Sequence, residues 1–393
     1  MKMMRPLGVF AAAGALLSSI QAAAVDPKPV GSPSAAGYQP IGVDEQGLWA
    51  EQAEAERKLQ DSKLLIRDPG VNAYLRSVLC RVTTADACAN LRLYLVRNPA
   101  ANAFMSPNGM TVIWSGLLLR LRDEAELAAV LGHEFTHFEK RHTLNQWKAA
   151  RNASGWAAWL TVLSIGAGAG ANFYPLFGAS VASFNRDQER EADLGGLALM
   201  GRGGYRTMAA SDFWAHNREE EDARAAALGI RSKKDAYRGP FSTHPMDVER
   251  MTYLRAAAEA APSDKAFDGV ADYRTALAPI WPLLIEDQIK LNDFGTSEYL
   301  LSNLARDGWN GQLLYARGEL YRYRGQSGDF ERAAAFYREA ATQSDAPATV
   351  WRGLGLALAR AGDVTGAKAA IAEYLQRNPD ASDKAMLTMI GGS

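Results

Sequence analysis

The sequence predicts an α+β protein: a mostly helical domain with a small antiparallel sheet, followed by an all-α tail of helical hairpins. Three observations predict it. Residues 91–96 alternate in polarity, and two further β-type runs, 102–105 and 110–114, flank Pro107-Asn108-Gly109, where Asn-Gly favours a tight hairpin turn. Long stretches on either side carry apolar residues at helical spacing. Beyond about residue 311 the chain echoes itself, at a 34-residue offset in the second halves of the two units and with three extra residues needed in the first halves.

The 393 residues are enough for two domains. With 48% apolar residues, 22% charged residues and a net charge of −1, the composition is globular. The basic residues are neither in excess nor clustered, so a nucleic-acid partner is not expected.

Residues 1–24 read as a Sec-type signal peptide. Lys2 and Arg5 precede an apolar run from Pro6 to Ile20, and Ala22-Ala23-Ala24 offers an A-x-A cleavage site. Export to the periplasm is therefore expected, and no cysteine near the cleavage site suggests a lipid anchor. Residues 25–44, rich in Pro, Gly and Ser, read as a flexible linker, and 45–64 as a helix. A second helix follows over 71–82, with Asp68 as its cap and Pro69 in its first turn. The two cysteines, Cys80 and Cys88, lie between this helix and the first strand; in an exported protein they are expected to form a disulfide.

A further helix is predicted from about Asp123 towards Trp147, with Asp123, Glu124 and Glu126 crowding its first turn. It contains His133-Glu134-Phe135-Thr136-His137. Residues four apart share a helix face, so His133 and His137 can offer two imidazole nitrogens to one ion. Two neutral nitrogen ligands with an open position suit zinc, and Glu134 beside them can polarise a water molecule. Between Arg151 and Arg186 there is no charged residue. Residues 152–185 are expected to form a buried or cleft-covering helical hairpin, with membrane-surface contact as the alternative, since Asn172 and Pro175 cut the tract into pieces short for a span.

The run Glu189-Arg190-Glu191-Ala192-Asp193 opens another helix. Glu189 and Asp193 share a face, whereas Glu191 is rotated from Glu189 by about 200°. Glu189 therefore suits a third, carboxylate ligand, Asp193 suits a group orienting a ligand histidine, and Glu191 a solvated charge. Lys140 and Thr143 stand where the metzincin pattern needs glycine and histidine, which leaves His142 as a packing or hydrogen-bonding residue. His216 matches no motif and reads as structural.

These two motifs together resemble the gluzincin peptidases of the HtpX, OMA and CAAX prenyl protease type, nearest to the BepA-like periplasmic enzymes. Asn102-Ala103-Phe104, Arg141-His142, and Ser242-Thr243-His244-Pro245 with Arg250 match as well. The resemblance implies a zincin peptidase domain over about 45–260, one zinc ion per chain held by His133, His137 and Glu189, Glu134 as general base, and a polypeptide substrate. Zinc peptidases commonly add an extended substrate to a sheet edge, which makes Asn102, Ala103 and Phe104 candidate substrate-binding residues. In BepA-like relatives the histidine of the Thr-His-Pro stretch can close the site; for His244 a latch and an oxyanion donor are both open.

In the tail, Gly318-x-x-Tyr321, Gly328-Asp329 and Ala333-x-x-x-Tyr337 echo Gly355-x-x-Leu358, Gly362-Asp363 and Ala367-x-x-x-Ile371. This resembles tetratricopeptide (TPR) repeats over 311–393, with 261–310 as connecting helices or a degenerate repeat. The whole implies an exported zinc endopeptidase in envelope-protein quality control, whose tail engages outer-membrane assembly machinery. The alternative is a chaperone or adaptor with a latent protease site.

Overall fold

The computed structural model describes residues 31–152, 184–234, 248–262 and 266–392. The expected signal peptide, almost all of the charge-free tract and His244 lie outside the described residues.

Helix α1 (Gly42–Gln60) precedes α2 (Pro69–Val82), which starts where Asp68 accepts the Val71 N–H at 2.9 Å and Pro69 presets the first turn. Its buried stripe, Val71, Leu75, Val78, Leu79 and Val82, has the spacing of one helix face. The disulfide Cys80–Cys88 joins the end of α2 to α3 (Ala85–Asn90). Three strands follow, β1 (Arg92–Val96), β2 (Ala103–Met105) and β3 (Met110–Trp114), in the order β1-β3-β2. The β2–β3 hairpin is antiparallel, as Asn108-Gly109 requires, with Gly109 at φ +82°. The expected antiparallel sheet is nevertheless mixed, because β3 pairs with β1 in parallel, Arg92 opposite Met110. The chain leaves β1, passes to the far edge for β2, and the hairpin returns β3 into the gap; two successive reversals give β3 the direction of β1. Phe104, Met110, Val112 and Trp114 pack with Ala55 and Leu59 of α1, while Leu95, Ala103, Met105 and Ile113 join the main core. The period-2 alternation of a strand separates these two faces.

After α4 (Ser115–Arg120) comes α5 (Glu124–Glu139), buried along nearly its whole length as befits a helix apolar on most sides. Asp123 caps it, accepting the Glu126 N–H at 2.8 Å. The helix expected to run towards Trp147 instead breaks at Arg141, whose φ is +55°, and α6 (His142–Asn152) starts in a new direction. The Arg141 guanidinium bonds Tyr38 Oη at 2.7 Å and pairs with Glu45. Ser32 in turn donates to Glu139 at 2.8 Å, so the described part of the expected linker is tied to the end of α5.

Helix α7 (Arg186–Arg202) begins with a capping box between Asn185 and Gln188. It crosses α5 at backbone contact: a Cβ on Gly196 would lie 2.7 Å from the His133 nitrogen, and one on Gly195 2.5 Å from Thr136 Cγ2. This close approach brings the carboxylates of α7 to the histidines of α5. Helices α8 (Ala209–Leu228) and α9 (Val248–Ala260) pack beside them.

The next helices, α10 (Val270–Leu277), α11 (Trp281–Lys290) and α12 (Phe294–Leu304), share the core of α2, α5 and α7. Tyr273 donates to the Leu118 carbonyl at 2.6 Å, and Arg97 grips Asp287 with two bonds of 2.7 Å. Two helical hairpins follow, α13 (Gly311–Arg324) with α14 (Asp329–Ala341), and α15 (Val350–Ala361) with α16 (Val364–Arg377), before α17 (Lys384–Gly392). The echoed positions do equivalent work: a Cβ on Gly318 would strike the Tyr337 ring at 2.6 Å, and one on Gly355 would strike Ile371 at 2.6 Å.

Candidate metal centre

The site is assembled from α5 and α7. His133 and His137, one turn apart, point their Nε2 atoms at each other 3.0 Å apart. Glu189, buried on the facing turn of α7, places Oε2 3.6 Å from His133 Nε2 and Oε1 3.7 Å from His137 Nε2. The three donors all lie within 4.8 Å of one another.

The other ring nitrogens decide which protons the imidazoles carry. Asp193 Oδ1 is 2.9 Å from His133 Nδ1. Burial alone would raise the Asp193 carboxyl, but the Arg250 charge and then the His133 contact hold it well below the usual carboxylate range. An ionised carboxylate only accepts, so His133 Nδ1 carries the proton and its Nε2 presents a lone pair. His137 Nδ1 lies 2.8 Å from His142 Nδ1, and its ring stacks on Phe184.

This arrangement fits a metal ion. A tetrahedral zinc with bonds of about 2.0–2.1 Å has ligand–ligand edges of roughly 3.3 Å, close to the 3.0, 3.6 and 3.7 Å found here. Lone pairs facing each other beside a carboxylate need a positive charge between them. Two imidazoles with one carboxylate is a donor set that zinc takes readily.

Glu134 is buried and lines, with His133 and Asp193, a cavity of about 30 Å³ whose other walls are apolar, among them Val130, Leu197, Phe213 and Trp214. Behind the carboxylates stands Arg250 of α9, fully buried and stacked 4.2 Å over Trp214. Its guanidinium reaches Glu189 Oε2 at 2.7 Å, Asp193 Oδ1 at 2.6 Å and Asp193 Oδ2 at 2.8 Å. Tyr253 also donates to Asp193.

Residues 69–258, which carry every side chain of this centre, match peptidase family M48. The chain contains an M48 peptidase domain. It is 31% identical over 180 residues to the mitochondrial metalloendopeptidase OMA1 of Schizosaccharomyces pombe, covering 45% of this chain and 50% of that protein. It is 27% identical over 235 residues to a putative beta-barrel assembly-enhancing protease of Vibrio cholerae, covering 57% and 46%, and 30% identical over 169 residues to the beta-barrel assembly-enhancing protease of Escherichia coli K12, covering 40% and 34%. The chain thus spans half or less of the length of these relatives.

Within the M48 domain the structure brings together His133, Glu134, His137, Glu189 and Asp193, all singled out from the sequence. Ala103 and Phe104 lie in β2, an edge strand of the sheet packed against α5, and the Asn102 carbonyl accepts from Trp114 N at 2.9 Å. His216 bonds Glu126 and Arg122 at 2.8 and 2.6 Å, as a structural residue would. Glu191 is exposed, as expected of a solvated charge, and it also receives Lys140 at 2.6 Å and His142 at 3.1 Å. Two contacts had no sequence signal. His142 is five residues from His137 and would point elsewhere on a continuous helix; only the break at Arg141 turns it back. Arg250 was marked by resemblance alone, since a lone arginine in a helix has no spacing that reveals its partners.

Proposed function

We propose that the chain is an exported zinc-dependent endopeptidase that hydrolyses peptide bonds of misfolded or unassembled envelope proteins. The observation that carries this reading is the convergence of His133, His137 and Glu189 beside the buried Glu134. The two histidines and Glu189 would hold one zinc ion. Zinc supplies Lewis acidity that makes water nucleophilic near neutral pH and polarises a peptide carbonyl. Glu134 would take the proton of the attacking water and pass it to the leaving amine, and the apolar wall around it keeps bulk water from competing for that proton. Asp193 keeps the His133 lone pair aimed inward. Residues Asn102, Ala103 and Phe104 would align an extended substrate along the β2 edge, and His244 would act as a latch or an oxyanion donor.

The proposed location is the periplasm. The signal-like residues 1–24 support it, as does the Cys80–Cys88 disulfide, which persists in oxidising compartments. No helix among the described residues is long and apolar enough to cross a membrane, and contact of 152–185 with a membrane surface stays part of the proposal. The names of the bacterial relatives extend the reading to β-barrel assembly. We read 45–260 as the peptidase domain, 261–310 as connecting helices and 311–393 as TPR-like repeats that engage assembly machinery; the matched glycine packing of the two hairpins supports the repeat.

Casein cleavage by the purified chain, with zinc content determined alongside, tests the reading. Wild type is expected to carry one zinc and to cleave, and Glu134→Gln to carry zinc and lose at least about 10²-fold in rate. Absence of zinc from reconstituted wild type would overturn the proposal. Zinc without cleavage of casein or any envelope protein would favour the chaperone or adaptor.

A further inference from the structure

The two histidines of the centre are held in different ways. His133 leans directly on a buried carboxylate. His137 leans on another imidazole, and that imidazole leans on a surface carboxylate. The direction of each hydrogen bond along this second arm follows from its outer end. Lys140 Nζ donates to Glu191 Oε1 at 2.6 Å, an ion pair in which the exposed carboxylate is ionised. An ionised Glu191 only accepts, so at its other oxygen, 3.1 Å away, His142 Nε2 must be the donor. A neutral imidazole with its proton on Nε2 accepts at Nδ1. The 2.8 Å contact between His142 Nδ1 and His137 Nδ1 then requires His137 Nδ1 to donate, which leaves the His137 Nε2 lone pair facing Glu189 and His133. Each proton position is forced by the one before it.

We propose that His142 is a positioning residue of the metal centre: with Glu191 it fixes the proton on His137 Nδ1 and so aims the His137 Nε2 lone pair at the metal. The inference rests on reading His133, His137 and Glu189 as the zinc-holding set. No change of charge is involved; the arm works as a fixed relay of orientation. The fold supplies it through the break at Arg141, which returns the chain so that His142 lies over His137. The arm ends on a half-exposed glutamate, whereas Asp193 is fully enclosed, so the ligation of His137 is open to changes at the protein surface in a way that of His133 is not.

The test is zinc affinity of the full chain, measured by chelator competition, with circular dichroism to check folding. His142→Phe keeps an aromatic ring at the site but removes the acceptor, and is expected to bind zinc about 10–100-fold more weakly. Glu191→Ala, at a surface position that leaves the core intact, is expected to weaken binding by about threefold to tenfold. Glu191→Gln retains an acceptor oxygen and is expected to restore affinity to within about twofold of wild type, and Lys140→Ala to stay within the same margin. If His142→Phe fails to fold, the Glu191 pair decides. Wild-type affinity in both His142→Phe and Glu191→Ala would overturn the inference and leave the zinc reading standing. So would equal weakening in Glu191→Ala and Glu191→Gln together with tighter binding in Lys140→Ala, which would point to surface charge rather than orientation. A wild-type chain that binds no zinc would overturn the zinc reading, and this inference with it.

Discussion

Arg250 holds two buried carboxylates at once, and its position shows how the centre tolerates so much charge out of water. Glu189 and Asp193 are each nearly inaccessible, and an isolated buried carboxylate costs several kcal/mol. One planar guanidinium meets both, bidentate on Asp193 and single on Glu189, a geometry that a lysine ammonium cannot reproduce. Removing it strands two charges rather than one. The metal-free Arg250→Met chain is therefore expected to be about 3–5 kcal/mol less stable than metal-free wild type in urea unfolding. Arg250→Lys should fall between them. Added zinc should recover part of the loss in Arg250→Met, because a cation would again neutralise Glu189.

At the scale of elements, α5 carries the two candidate histidine ligands, and its start is set by a carboxyl in an unfavourable place. Asp123 caps the helix through the Glu126 N–H, with Arg206 3.5 Å from its other oxygen. Burial, then the nearby Glu126 charge, pushes its pKa up to about 6 from 3.8, against the help of the backbone bond and of Arg206. The folded protein thus holds this proton more tightly than the unfolded chain does. The contribution of Asp123 to stability is fully present below pH 3.8 and is lost as pH rises through about 6. Asp123→Asn keeps a side-chain oxygen for the cap and cannot ionise. Its stability relative to wild type is expected to rise between pH 4 and pH 7, by on the order of 1–3 kcal/mol, in unfolding measured across that range. A difference that stays flat with pH would show that Asp123 ionises at no cost in the fold.

At the scale of the molecule, the peptidase core does not stop where the M48 match stops. Tyr273, Leu277, Leu284, Leu300 and Leu320 belong to the same buried cluster as Leu75, Leu127 and Leu131. The second cluster, around Tyr337, belongs to the helical hairpins. A chain ending at residue 260 therefore exposes large apolar side chains of α2, α4 and α5, and is expected to lose cooperative thermal unfolding. A chain ending at residue 325 keeps the main cluster and is expected to unfold cooperatively and to bind zinc as the full chain does. Circular dichroism with zinc titration distinguishes these outcomes, and a cooperative 1–260 chain would show that α10 to α13 are dispensable to the site.

The sequence by itself determined the chemistry. Helical spacing alone puts His133 and His137 on one face and Glu189 and Asp193 on another, and Asn108-Gly109 fixes the hairpin, because these depend only on residues a few positions apart. The echo of Gly318 and Tyr337 in Gly355 and Ile371 was legible for another reason, that the same pattern recurs along the chain. Whatever joins distant residues was decided by tertiary structure. The parallel pairing of β1 with β3 depends on which gap the hairpin fills. The ion pairs of Arg250 depend on how α9 meets α7. The placement of His142 depends on a left-handed residue that is not glycine, held by Tyr38 and Glu45 from another part of the chain. Local pattern records what a segment can do; which partner it meets is set by packing of the whole, and no spacing in the chain encodes that.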